Sequence, residues 1–272
     1  MVEKFVQVDG LKTRYLEEGS GPVVLLLHGA SLGSSADVWE RNLAPLARHG
    51  LRALAFDQPG FGLTDNPRDY SVAYRRSFIL KFMEALGVKK ASLVGHSQAG
   101  GMATGLAFDH TERISKVVVL ATGSLLPPLP AGEKSGAGEG EEGGNSEPTL
   151  EDSRALLEHN LFNHALITPE VLEKRHRMSV GKNFQAFLER AKAPRGGGRK
   201  DNVPIWERLR QLPVPLLMLY GKQDRGSAAA RAAALKERFP ALNLHLLDNA
   251  KHLAQWDAAE EFERLTSDFL AS

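Results

Sequence analysis

Four short runs, at 23–27, 51–56, 91–94 and 116–121, are almost wholly apolar, and stretches with helical spacing separate them. A strand that reads apolar without alternation is buried on both faces, as in a parallel sheet with helices on either side. Val38, Leu43, Leu46 and Ala47 mark one intervening helix; Phe78, Ile79, Phe82, Met83 and Leu86 mark another, closed by Gly87. Strands alternating with helices build right-handed βαβ units, so the chain is expected to be α/β. Ahead of these, 5–8 and 12–16 alternate apolar and polar side chains around Asp9-Gly10, a strong hairpin signal. Further on, 215–220 and 242–247 add two strands, with an alanine-rich helix over 227–239 between them and a last helix over 258–270. The expected sheet is mostly parallel and eight-stranded, flanked by helices.

One long excursion interrupts the pattern after the sixth strand. Residues 125–130 read Leu-Leu-Pro-Pro-Leu-Pro, and a Gly/Glu tract over 131–144 has too little apolar surface to fold, so it is expected to be flexible. From 149 to about 193 the spacing turns helical, carried by Leu156, Leu157, Leu161, Phe162, Val171, Leu172, Phe184, Phe187 and Leu188. A second loose stretch, 194–200, leads back to the sheet. The expected organisation is a core domain over 1–124 and 205–272, with a flexible linker and helical cap over 125–204. A small independent helical domain is the other reading; strand patterns on both flanks favour the cap.

Composition closes off several classes of function. With 34 Lys+Arg against 33 Asp+Glu in 272 residues, there is no basic excess to neutralise nucleic-acid phosphates. No apolar run approaches the ~20 residues that cross a bilayer, so no membrane partner is expected. The start, Met1-Val2-Glu3-Lys4-Phe5, lacks the basic and apolar regions of a secretory signal, and a cytoplasmic location is expected. Zero cysteines remove disulfides, thiolate metal sites and a cysteine nucleophile.

The sharpest chemical signal is Leu93-Val94-Gly95-His96-Ser97-Gln98-Ala99-Gly100-Gly101, directly after a strand and opening a helix. A tight strand-to-helix turn lifts a serine hydroxyl clear of the sheet, and small neighbours permit the turn. The helix start aims N–H groups at an anion formed beside the serine. A serine nucleophile needs a base, and the base an orienting acid. Of nine histidines, His28 follows a strand and is expected to brace its loop. His49, His159, His164 and His176 fall in or beside helices, His110 ends one, and His245 lies in a strand pattern. His252 instead occupies the loop after the last strand, and Asp224 sits just past the preceding strand. Both lie at carboxyl ends of neighbouring strands, where open α/β sheets bind ligands. Ser97, Asp224 and His252 are therefore the expected triad, with the backbone N–H groups of Gln98 and Ala30 as the oxyanion donors.

On these motifs the chain resembles the α/β-hydrolase superfamily over nearly its whole length. His28-Gly29, Asp57-Gln58-Pro59-Gly60-Phe61-Gly62, the serine turn, Gly221-Lys222-Gln223-Asp224 and His252 carry the match. Within the superfamily it looks most like the meta-cleavage-product hydrolases, which split carbon–carbon bonds in ring-opened aromatic compounds. That narrower match rests on His252-Leu253-Ala254-Gln255-Trp256-Asp257 and on the segment holding Leu166-Ile167-Thr168-Pro169-Glu170, Arg175 and Lys182-Asn183-Phe184. The resemblance implies that Arg175 grips a substrate carboxylate and that Trp256 lines the pocket. It places Ser31, His96, Phe184 and Leu253 among the substrate-binding positions. The charged run around Arg175 reads equally well as a solvated helix face. The chain departs from the family at His96 and Leu253, where asparagine and tryptophan are usual. It departs again in the loop Gly29-Ala30-Ser31-Leu32-Gly33-Ser34, usually Gly-Gly-Gly-Pro-Gly, and near Trp39, where an asparagine is usual.

The expected function is that of a cofactor-free serine hydrolase cleaving a C–C bond in a small 2-hydroxy-6-oxo-dienoate-type molecule. A carboxylesterase or lactonase would use the same machinery, and a non-catalytic ligand sensor is the reading from another class. Association into a homo-oligomer is compatible with each of them.

Overall fold

The computed structural model describes residues 1–128, 146–193 and 203–272. The Gly/Glu tract at 131–144 and the loose stretch at 194–200 lie outside the described residues. Eight strands, β1 (Val2–Val8), β2 (Leu11–Glu18), β3 (Val23–Leu27), β4 (Arg52–Phe56), β5 (Ala91–His96), β6 (Ile114–Leu120), β7 (Leu216–Gly221) and β8 (Leu244–Leu247), form one sheet. Their order is β1-β2-β4-β3-β5-β6-β7-β8. The β1–β2 hairpin turns at Asp9-Gly10, both at positive φ, and β2 runs antiparallel to β4. All other pairings are parallel, as the apolar runs require.

The helices explain why those runs do not alternate. On one side of the sheet, Leu25, Leu27, Leu93, Val117, Val119, Met218 and Tyr220 pack against α2 (Val72–Ala85), α3 (Gln98–Asp109) and α8 (Ala228–Arg238), and the short α7 (Ile205–Arg208) adds Trp206. Their neighbours Val24, Leu26, Val94, Val118, Leu120, Leu217 and Leu219 point the other way, to α1 (Glu40–Arg48) and α10 (Ala259–Ala271), the latter preceded by the short α9 (Ala254–Asp257). Each strand residue has a core to enter, at roughly 2 kcal/mol for each large aliphatic side chain buried.

Between β6 and β7 come α4 (Leu150–Asn160), α5 (Pro169–Arg177) and α6 (Lys182–Lys192). Thr149 and Asp152 form a capping box at the start of α4; Thr168 caps α5, which has Pro169 at its first position. These helices rest on the sheet's carboxyl edge through polar contacts. Lys174 pairs with Glu40 at 2.7 Å, Asn66 Nδ2 donates to the Lys182 carbonyl at 3.0 Å, and the Leu253 N–H donates to the Asn160 carbonyl at 3.0 Å.

A buried charge cluster fixes the loop after β3. Arg14 of β2, 5% exposed, donates from Nη2 to Asp37 at 2.7 Å and from Nη1 to Asp57 at 3.4 Å. The Asp57 carboxylate also accepts the Ala36 N–H at 2.6 Å and the Leu63 N–H at 2.7 Å. Gly62, at φ 54°, must lack a side chain, because a Cβ there would lie 2.1 Å from Asp57 Oδ2. Asp57→Ala would strand two N–H donors and unbalance Arg14, so a loss of about 3–5 kcal/mol is expected. Urea unfolding measures it; a loss under about 1 kcal/mol would show that the cluster does not hold the loop.

Candidate active site

The serine turn is built by three close approaches. Ser97 joins β5 to α3 at φ 55° and ψ −124°, a left-handed conformation that costs a non-glycine residue about 1–3 kcal/mol. A Cβ on Gly95 would meet the Ala99 carbonyl at 2.6 Å, and one on Gly100 would meet Thr122 Oγ1 at 2.0 Å. Glycine is thus required at these two positions, whereas Ala99 fits with its methyl fully buried. The Ser97 N–H donates to the Leu120 carbonyl at 2.8 Å and locks the turn to β6.

Asp224 and His252 hang from two loops laced together. A Cβ on Gly221 would fall 2.1 Å from the Ala250 carbonyl, so only glycine lets the loops after β7 and β8 approach. The Gln223 N–H donates to the Ala250 carbonyl at 3.0 Å, and Gln223 Oε1 accepts the Ala250 N–H at 3.0 Å. His252 Nδ1 then meets Asp224 Oδ1 at 3.1 Å, with both residues buried. A carboxylate at Nδ1 keeps the proton there and leaves Nε2 with its lone pair. That lone pair accepts Arg225 Nη2 at 3.2 Å, while the Arg225 N–H donates to Asp224 Oδ1 at 2.8 Å. Among the described residues the hydroxyl of Ser97 is bonded to no partner, so the expected Ser97–His252 hydrogen bond is not formed in this state. Such contacts commonly tighten only when substrate is bound.

The other expected residues divide in what they touch. Gln98 is the first residue of α3, where a backbone N–H has no intrahelical acceptor, and Ala30 follows Gly29, whose Cα lies against Ser97. His96 donates from Nε2 to the His252 carbonyl at 2.9 Å, and its ring lies 4.8 Å from the His252 ring. Its Nε2 therefore helps to hold the His252 loop, while the ring borders the cavity beside it. His28 braces its loop as expected, donating from Nδ1 to the Gly29 carbonyl at 2.7 Å and accepting the Gln58 N–H at Nε2 at 3.0 Å. A narrow cavity lined by Gly29, Ser31, His96, Arg175, His252 and Leu253 opens beside a chamber of about 320 Å³ bordered by Arg41, Lys174, Arg175, Leu253 and Trp256. Trp256 donates from its indole N–H to the Val38 carbonyl at 2.6 Å. Phe184 borders neither cavity; it is buried with its ring stacked on Phe187.

Arg175 turns out of the charged run and into this space. Its Nη2 donates to Ser31 Oγ at 2.9 Å, and its Nε is shielded from solvent with no partner. Among the described residues no carboxylate pairs with it, and burial lowers its pKa to about 10. Gly33, at φ 76°, lets the loop close on this guanidinium, since a Cβ there would come 2.9 Å from Arg175 Nε. The direction Arg175 takes is set by this loop, which a one-dimensional charge pattern cannot reveal. Asn160, which lines the narrow cavity with His252, is hidden from the sequence for the same reason. Among the described residues no group of three or more His, Asp or Glu side chains is placed to hold a metal ion.

Residues 22–259 match the α/β-hydrolase fold family. The chain belongs to that family. It is 29% identical to the 2-hydroxymuconate semialdehyde hydrolase of Pseudomonas putida, over 96% of this chain and 92% of that enzyme. It is 31% identical to the 2-hydroxy-6-oxo-6-phenylhexa-2,4-dienoate hydrolase of Burkholderia cepacia, over 94% of this chain and 90% of that enzyme. Among solved structures, the meta-cleavage product hydrolase of Pseudomonas fluorescens IP01 superposes with a TM-score of 0.80 at 27% identity, covering 98% of this chain and 97% of the other. The resemblance read from the serine turn and the His252 segment thus extends over the whole α/β-hydrolase frame.

Two of this hydrolase's buried histidines tie the site to pH. Burial lowers the pKa of His28 to about 3 and holds His96 well below its usual value, so both are neutral when folded. An unfolded histidine takes up a proton near pH 6.5, so stability from these groups is complete above that pH and is lost as pH falls below it. From pH 7.5 to 5.5 each should cost about 1.4 kcal/mol. The His96→Asn variant is expected to lose less stability than wild type over that interval, by about this amount, in paired urea titrations. Equal losses would mean that His96 is protonated in the folded protein.

Proposed function

We propose that this hydrolase cleaves the C–C bond of a 2-hydroxy-6-oxo-dienoate-type ring-cleavage product, with Ser97, His252 and Asp224 as its triad. The observation that carries the reading is Arg175, whose Nε is shielded and which has no carboxylate partner among the described residues, facing the cavity beside His252. A carboxylate in such a place supplies what the guanidinium lacks, through two parallel hydrogen bonds that lysine cannot reproduce. The names of the relatives in Pseudomonas putida and Burkholderia cepacia point to the same class of molecule. Helices α4–α6 would form the cap that closes over it, in the segment 125–204. No described helix is long and apolar enough to cross a membrane, in keeping with a dissolved substrate met in the cytoplasm.

In the proposed reaction the dienol ketonises and its vinylogous carbonyl becomes an electron sink. His252 takes a proton during attack on the distal ketone at Ser97, and the N–H groups of Gln98 and Ala30 hold the oxyanion. The C–C bond breaks with its electron pair passing to the dienolate, which His252 reprotonates. Water completes the balance, leaving a carboxylic acid and a hydroxydienoate. For Nε2 to act as this base, the Arg225 contact must yield to Ser97.

Ser97→Ala and His252→Ala are each expected to abolish nearly all turnover, and Asp224→Asn to lower it by as much as ~10⁴-fold without unfolding the chain. Near-normal turnover by Ser97→Ala, measured on a dienoate diketone, would refute the serine mechanism. Arg175→Ala should reduce specificity for the dienoate by roughly 30- to 1000-fold, equivalent to about 2–4 kcal/mol. Arg175→Lys should recover only part of this. Hydrolysis of a neutral nitrophenyl ester should change little in either variant. Equal effects on acidic and neutral substrates would move the protein to the esterase or lactonase reading.

A further inference from the structure

Arg175 is not the only guanidinium near the serine that lacks a counter-ion among the described residues. Arg75, in the first turn of α2, is 3% exposed; its Nε and Nη1 are shielded and have no partner. Its Nη2 donates to Gln98 Oε1 at 2.5 Å, a neutral acceptor on the residue that follows Ser97. Arg190 of α6 places its guanidinium carbon 3.7 Å from the centroid of the Phe61 ring and donates from Nη1 to the Gly60 carbonyl at 2.6 Å. Arg75 approaches that same ring at 5.6 Å. No described carboxylate pairs with either, and the neighbouring Glu189 is turned to Lys192.

Two cations sharing one aromatic ring without an anion are costly to bury. Burial brings Arg75 to about 10, and burial together with the charge of Arg75 brings Arg190 to about 9. The position of the pair relative to the chemistry follows from His28. Its ring packs edge-on to Phe61 at 4.9 Å, and it feels the charges of Arg75, Arg190 and Arg175 together. Arg175 reaches the serine loop through Ser31, and the Arg75–Arg190 pair reaches it through Phe61 and Gln98. Guanidinium groups thus bond to two residues close to Ser97, Arg175 to Ser31 in the loop after β3 and Arg75 to Gln98 at the start of α3. Gln98 is exposed, so its carboxamide can swing away and yield Arg75 Nη2 to a stronger acceptor.

We propose that Arg75 and Arg190 form a second carboxylate subsite on the acyl side of Ser97, making the preferred substrate a diacid whose released acyl fragment carries its own carboxylate. The proposal rests on the triad reading of Ser97, Asp224 and His252, but not on C–C cleavage, because any acyl group bound at Ser97 would present its far end to the same pair.

The test uses two nitrophenyl esters of equal acyl length, the hemisuccinate and the butyrate. Wild type is expected to favour the hemisuccinate in kcat/KM, and Arg75→Gln and Arg190→Gln should each lower the hemisuccinate-to-butyrate ratio about 10- to 100-fold. A ratio of specificities cancels any loss of folded protein. In parallel, calorimetry on the intact Ser97→Ala chain should find succinate bound at least about 10-fold more tightly than butyrate, with the difference removed by Arg190→Gln. Equal binding of the two acids would overturn the proposal. So would a discrimination that survives both Gln variants, or one that only Arg175→Gln removes. Failure of dienoate turnover while the ester ratio responds would refute C–C cleavage and leave the subsite standing.

Discussion

Much of the site hangs on one buried arginine. Arg14 reaches from β2 under the sheet's carboxyl edge and holds two carboxylates, Asp37 and Asp57, from different loops. Asp57 is itself tied to the backbone at Ala36 and Leu63. The segment from His28 to Asp37 is therefore anchored at its far end by charge and at its near end by His28 and Gln58. Ala30, Ser31 and Gly33 hang between these anchors, and they carry the proposed oxyanion donor, the contact to Arg175 and the close passage beneath α5. Burial raises the pKa of Asp57 to about 6, so the cluster is ionised at neutral pH by a modest margin.

The architecture was largely legible because it is written in short-range patterns. Residues 23–27 and 116–121 read as two-faced strands, and each does divide its side chains between two cores. Asp9-Gly10 named the hairpin, and the order of Ser97, Asp224 and His252 along the chain placed three groups at carboxyl ends of strands, where the structure brings Asp224 and His252 into contact. What carried over was chemistry tied to backbone shape.

Side-chain direction was far less legible. Arg175 sits in Glu173-Lys174-Arg175-His176-Arg177, where local pattern favours a solvated face, yet it turns inward while Lys174 turns to Glu40. His96, expected at the substrate, lines the narrow cavity and also holds the carbonyl of His252, a contact its sequence neighbours do not announce. Phe184, expected at the pocket, packs on Phe187 instead. Arg75 and Arg190 drew no notice at all, since nothing near them in sequence marks their meeting over Phe61. In each case the deciding partner lies far along the chain, beyond the reach of any local spacing rule.

The left-handed backbone at Ser97 has an evolutionary corollary. Glycine adopts that conformation without strain, so Ser97→Gly would relax the turn and stabilise the fold while removing the proposed nucleophile. Selection for robustness alone would push this position away from serine. Under the proposed mechanism activity and durability pull in opposite directions at this position, so that a lineage relieved of its substrate would drift first at the turn and last in the sheet beneath it.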